Sequence, residues 1–415
     1  MTDFATGIVV ATGIYVAILM VLGYAGRRAR RERSMADFYL AGRNIGLVVL
    51  LLTLFATQYS GNSLSGFPGQ TYREGLVYYM AVTFMVAIVT GYLLFAPRLF
   101  VLSRQQSFVT PGDYLRFRFP ESPLLHRAST AIFLIVLTNF LLAQVIAMGH
   151  AFAGLTDGRI PYGLGTPGGA LVNLLYDLTG GMRAVARTDT LQGILLIVGL
   201  LLAVVLLIDL VGGPAEVVAT IATVAPRKVA PPSLTTCALW MSNFLLLGLG
   251  APIYPQAIQR IYAARRLTDL RHALATMAFL PHVAISVVVF IGLIGIAVFP
   301  NLSRLASDQV TFRVLAYLVE QRPIAYLPVL VVMMAVLAAI MSTADSCLLS
   351  LSSIVTKDVL GRMRRFRRLD PEGLARFGTR TSIVAMAVVL LVAWRPPTTL
   401  WGLLVIKFEL LIQMS

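Results

Sequence analysis

Three short stretches place chemistry-bearing groups inside otherwise apolar sequence. Residues 339–346 read AIMSTADS, and on a helix Ala339, Ser342, Thr343 and Ser346 fall on one face at i, i+3, i+4 and i+7. Hydroxyls can bond back to carbonyls one turn earlier, which accounts for one or two of them. It does not account for Asp345, because a carboxylate inside a membrane span costs several kcal/mol unless it has a partner or a task. Residues 56–63 read ATQYSGNS and interrupt the apolar run NIGLVVLLLTLF. A helix broken there frees backbone carbonyls, which are ready cation ligands, and exposes helix-end dipoles. Close helix packing needs only the small residues, whereas Gln58, Asn62 and Ser63 add hydrogen-bonding side chains. Residues 248–256, GLGAPIYPQ, make a second interruption, since each proline removes a backbone donor. Asp189 is another carboxylate near a span, and its plainer role is an interfacial pair with Arg183 or Arg187.

Other chemistries find no support. The four histidines make no metal-ligand spacing, and Cys237 and Cys347 read as small apolar packing residues. There is no phosphate-cradling glycine loop and no nucleophile–base pair, so neither an ATP-driven machine nor an enzyme is indicated, and no organic cofactor is called for.

The elements that position these groups are membrane helices. The chain has 415 residues, 58% hydrophobic and 13% charged, far from the balance of a soluble domain. Hydropathy predicts an all-α polytopic protein with eleven spans, at about 5–25, 44–68, 76–97, 128–154, 161–182, 188–212, 233–255, 273–299, 326–350, 381–394 and 398–413. The first is read as a retained span rather than a signal peptide. With the N-terminus outside, the inner loops carry 25 Lys/Arg and the outer loops 8, with Lys407 inside the last span. That bias fits the positive-inside rule, so the net charge of +15 reflects topology in a cell membrane and not nucleic-acid binding. RFRFPESPLLHR reads as an interfacial helix or loop.

Both interruptions open a set of five spans, 2–6 and 7–11. Paired interruptions at corresponding positions of two halves point to a transporter's central site. The whole of 1–415 is therefore one transmembrane domain, with 5–25 an extra helix, 44–212 a first repeat and 233–413 a second.

Several stretches in order resemble the sodium:solute symporter family: DFYLAGRNIG, FPGQTYREG, TPGDYLRFRF, LTGGMRAVARTDTLQG, YPQAIQRIYAAR and AAIMSTADSCLLSLSSIVTKD. The resemblance implies a LeuT-type fold of inverted five-helix repeats and alternating-access transport of a small organic solute driven by Na+. It implies a sodium site made by the carbonyls of Ala56, Tyr59 and Ala339 with the hydroxyls of Ser342 and Thr343. A second cation set, present in some members, would comprise Asp189, Ser342, Asp345 and Ser346. Solute would pack at the midplane against Gln58, Asn62, Ser63, Tyr254 and Gln256. With no cationic side chain placed at the midplane ahead of Lys407, a neutral, zwitterionic or monocarboxylate solute is the expectation.

The last span, LWGLLVIKFELLIQMS, is short and carries Lys407 and Glu409. Either these charges pair at an interface, or the closing helix of the second repeat is truncated. Two alternatives to sodium symport follow from the residues. One is proton coupling through Asp345 or Asp189, which close carboxylates in low dielectric would favour. The other is a sensor or remnant that binds solute without moving it.

Overall fold

The computed structural model describes residues 2–28, 34–156, 158–177, 181–363 and 371–412. Among the described residues there are helices and no strand, only an isolated bridge between Ile45 and Ala264. Helix α1 (Thr2–Arg28) faces outward with Val9, Val10, Ile14 and Val21 exposed, as lipid contact requires. Helix α2 (Met35–Leu40) starts where the Ser34 hydroxyl accepts from the Asp37 amide at 3.0 Å. The second span is two helices, α3 (Leu47–Gln58) and α4 (Phe67–Glu74), bent by 50°. There follow α5 (Ala81–Gln105), the short α6 (Pro111–Arg118), α7 (Pro123–Leu155), α8 (Tyr162–Asp177), α9 (Gly181–Val211) and α10 (Pro214–Val224). The second half contains α11 (Leu234–Gly250), α12 (Pro255–Ala263), α13 (Leu267–Met277), α14 (Leu280–Val298), α15 (Val310–Gln321), α16 (Tyr326–Ile354), α17 (Pro371–Ala393) and α18 (Leu400–Ile412).

Every segment expected to span contains helix. Among the described residues seven helices are long and apolar enough to cross a bilayer, and the bent α3–α4 pair makes eight. The remainder are short: α8 and α18 have 16 and 13 residues, and the apolar part of α17 is Arg380–Ala393. Hydropathy misplaced several ends. The sixth helix starts at Gly181, ahead of the expected residue 188, and buries Met182, Ala184, Val185 and Thr188 in its first turns. RFRFPESPLLHR divides between the end of α6 and the start of α7, and the former begins with a reciprocal Thr110–Asp113 cap. Segments between the expected spans also hold helices, α10 and α15. Residues 178–180, which open the quoted stretch LTGGMRAVARTDTLQG, lie outside the described residues.

The centre of the bundle is α16, where every residue from Val332 to Ile354 is buried. It packs against α9, α7 and α3. Gly199 of α9 permits the closest crossing, since a Cβ there would come within 2.3 Å of the Ala335 Cβ. On the far side of the break, Asp308 clasps two elements together. Its carboxylate takes Arg73 of α4 at 3.0 Å and the Leu400 amide of α18 at 2.8 Å.

Candidate functional site

The first break is built by specific contacts. After Gln58 the chain extends at Tyr59 (φ −94°, ψ 104°) and resumes at Gly61 in a turn of π-helix, Asn62–Gly66. The Gly61 amide donates to Gln144 Oε1 of α7 at 2.8 Å, so a buried glutamine satisfies the freed backbone. A Cβ at residue 61 would lie 2.5 Å from the Ala147 Cβ, which is why only glycine fits against α7. The Asn62 amide turns back onto Ser60 Oγ at 3.2 Å. Among the described residues no hydrogen bond reaches the carbonyls of Ala56 or Tyr59. The second break lies where expected: α11 tightens through Ala251–Ile253, extends at Tyr254 (φ −52°, ψ 124°) and restarts at Pro255.

Facing the first break, Thr343 of α16 donates either to its own-helix Ala339 carbonyl at 3.1 Å or across to the Thr57 carbonyl at 3.3 Å. That hydroxyl thus bridges α3 and α16 beside the free carbonyls. Ser342 Oγ donates to Asp189 Oδ1 of α9 at 2.6 Å, leaving its lone pairs outward. Ala56, Tyr59, Ala339, Ser342 and Thr343 are all buried.

Asp189 has a different partner from those the sequence suggested. Arg183 pairs with Asp37, whereas Asp189 Oδ2 takes Arg260 Nη2 at 2.8 Å, with neither side chain accessible to solvent. Thr53 also donates to Asp189 Oδ2. Arg260 further reaches Thr53 Oγ1 at 2.8 Å, Ser346 Oγ at 2.6 Å and the Gln256 carbonyl at 3.0 Å. Asp189, Ser342 and Ser346 therefore do converge, but around a guanidinium. Asp345 is buried on the same helix, within electrostatic reach of the Tyr15 hydroxyl of α1. Hydropathy ends the seventh span at about 255 and so leaves Arg260 in a loop, whereas it lies on α12, buried along its whole length.

Between the two breaks lies a cavity of about 20 Å³, room for one water. Its lining includes Gln58, Asn62 and Ser63 from the first break and Tyr254 from the second. Gln256 is not on that lining; it is buried one residue into α12. Lys407 of α18 is on it, 1% exposed, while Glu409 points to the surface. The two charges of the last span therefore do not pair. Phe67 and Phe84 line the cavity on one side, and Tyr78, Trp240 and Trp401 continue them as one aromatic layer. Trp240 and Trp401 in turn line an open vestibule of about 490 Å³ with Glu74, Arg227 and Ser233.

Residues 38–412 match the sodium:solute symporter family. The chain belongs to this family. It is a multi-pass membrane transporter of the symporter type and not an enzyme. It is 26% identical over 397 residues to a sodium/pantothenate symporter of Escherichia coli, covering 95% of this chain and 80% of that protein. It is 28% identical over 402 residues to the osmoregulated proline transporter OpuE of Bacillus subtilis, covering 95% and 79%. Its fold resembles a Na+-coupled sialic acid symporter solved in a substrate-bound outward-open state (TM-score 0.79, 18% identity, 98% and 86% covered). It also resembles MhsT solved with L-phenylalanine (TM-score 0.59, 14% identity, 89% and 86% covered). The LeuT-like fold is thus the one that this symporter adopts.

Proposed function

We propose that the chain carries a small organic solute inward with Na+, the ion being held between α3 and α16. The observation that carries this is the Thr343 hydroxyl spanning from Ala339 to Thr57 beside the two unbonded carbonyls of the break. The carbonyls of Ala56, Tyr59 and Ala339 with the hydroxyls of Ser342 and Thr343 supply five oxygens of modest field strength, which suits a hard monovalent cation that must both bind and leave. A sodium ion there would make the ion contacts that α3 and α16 otherwise lack. Solute would then lie against Gln58, Asn62, Ser63 and Tyr254, in the size class of the pantothenate and proline named for the relatives. Because the cavity holds about one water, admission of solute requires α11, α18 and the aromatic layer to part.

Arg260 carries the charge that a second cation would bring to Asp189, so one Na+ per cycle is the stoichiometry this arrangement favours. The two repeats would be α3–α9 and α11–α18, with α1 outside them and the N-terminus on the outer face. Uptake into proteoliposomes tests the reading: a solute accumulated under an inward sodium gradient, and not under a potassium or proton gradient, supports it. Accumulation driven equally by a proton gradient without sodium would overturn the ion assignment.

A further inference from the structure

The Lys407 amino group is buried in the cavity between the two helix breaks, and among the described residues its Nζ makes no hydrogen bond. It lies 3.3 Å from the Phe140 ring centre, 4.6 Å from that of Tyr254 and 5.0 Å from that of Phe408. Ring faces attract a cation, but they return only part of the hydration lost on burial. A charge kept in a span without a counter-charge marks a functional position. The other lining residues are neutral, so among the described residues no carboxylate answers Lys407 from across the cavity. Asn62 Oδ1, from the first break, also has no partner and offers an acceptor to the same space.

We propose that Lys407 selects the solute: it takes the carboxylate of a small monoanion that carries a neutral donor, such as a hydroxyl, for Asn62 and has no ammonium group of its own. The anion supplies the counter-charge that the cavity lacks. A zwitterionic amino acid would set its ammonium in a chamber that already holds one and has no carboxylate to receive it. The aromatic cage keeps the lysine extended toward the chamber until the anion arrives. This assignment rests on the proposed solute site, deepening it from a size class to a charge class.

The test is thermal stabilisation of the full chain in lipid nanodiscs, in sodium chloride and in choline chloride. The probes are lactate, 3-hydroxybutyrate and glycerate, together with lactamide and alanine. The expected result is stabilisation by the hydroxy-carboxylates and not by lactamide or alanine. Lys407→Gln should raise the carboxylate concentration needed by about 10- to 100-fold, the worth of a charge-assisted hydrogen bond, while the shift caused by sodium alone persists. Lys407→Arg should keep more of the response than Lys407→Gln. A Lys407-dependent carboxylate shift equal in choline would sink the sodium reading and still support the anion assignment. No carboxylate response in wild type, an equal response to lactamide or alanine, or an unchanged response in Lys407→Gln would each overturn it. A Lys407→Gln protein that gained tetramethylammonium binding while wild type ignored carboxylates would reassign the cage to cationic solutes. If Lys407→Gln does not fold, the carboxylate-against-lactamide comparison in wild type still decides.

Discussion

Arg260 and Asp189 meet at 2.8 Å in the centre of the bundle, and Thr53, Ser342, Ser346 and the Gln256 carbonyl make further hydrogen bonds with them. The pair links α12, at the second break, to α9, α3 and α16. A buried pair of this kind adds little over an apolar isostere, but removing one partner strands a charge.

The first prediction follows. An interfacial Asp189 would be worth at most about 1 kcal/mol and its neutralisation would be tolerated. In the buried pair, Asp189→Asn or Arg260→Gln alone should destabilise by about 3–5 kcal/mol. The double variant should recover most of that loss, because two amides can still hydrogen-bond across α9 and α12. Urea or thermal unfolding of the four proteins in one detergent measures the cycle. Additive losses would mean that the two residues act independently.

A second prediction concerns orientation. The basic bias puts the α6–α7 turn inside and the α14–α15 loop outside, where Glu121 and Ser303 are exposed. In a background with the exposed Cys237 changed to serine, Glu121→Cys should label only after permeabilisation, and Ser303→Cys in intact cells. The opposite pattern would invert the topology.

The aromatic layer gives a third. Trp401 sits 6.0 Å from Phe67 and 5.4 Å from Tyr78, separating the vestibule from the solute cavity. Trp401→Ala removes ring area at the junction of α18 with the first break. Labelling of an Asn62→Cys variant by a small membrane-impermeant thiol reagent should then accelerate from the vestibule side by about tenfold or more, the change produced by roughly 1.4 kcal/mol off the opening cost. An unchanged rate would show that another element closes the path.

The sequence exposes most of this architecture, because membrane burial forces long apolar runs and any departure from them is conspicuous. The breaks at ATQYSGNS and GLGAPIYPQ were visible for that reason, as were Ser342, Thr343 and Asp189. What stayed hidden depended on knowing who packs against whom. Arg260 looked like one more basic loop residue, since a nine-residue amphipathic helix buried by neighbours has no hydropathy signature. Gln144 is one of several polar residues in α7, alongside Asn139 and His150, and its role as a cap for Gly61 exists only through the fold. A pairing of Lys407 with Glu409 is one of the two readings that the sequence allows, yet two residues apart on a helix they face different ways.

The last prediction tests the ion site itself. Thr343→Ala keeps the helix and leaves the neighbouring Ser342–Asp189 bond of 2.6 Å in place, removing one hydroxyl that faces the break. Ser342→Ala is a harsher change, because it also deprives Asp189 Oδ1 of its donor. If both hydroxyls ligate sodium, each loss should weaken sodium binding by about 1–3 kcal/mol, the cost of an unmade buried polar contact. Only Ser342→Ala should also lower stability without sodium. Because solute and ion binding are coupled, solute affinity should fall in Thr343→Ala at fixed sodium and recover as sodium is raised. A threonine that merely bonds back to Ala339 predicts something else: a small stability loss with half-saturating sodium unchanged. Sodium titrations of stability and of uptake, run on wild type and both variants, separate the two. Equal half-saturating sodium in all three would remove the hydroxyls from the site and leave the break at Tyr59 without its proposed purpose.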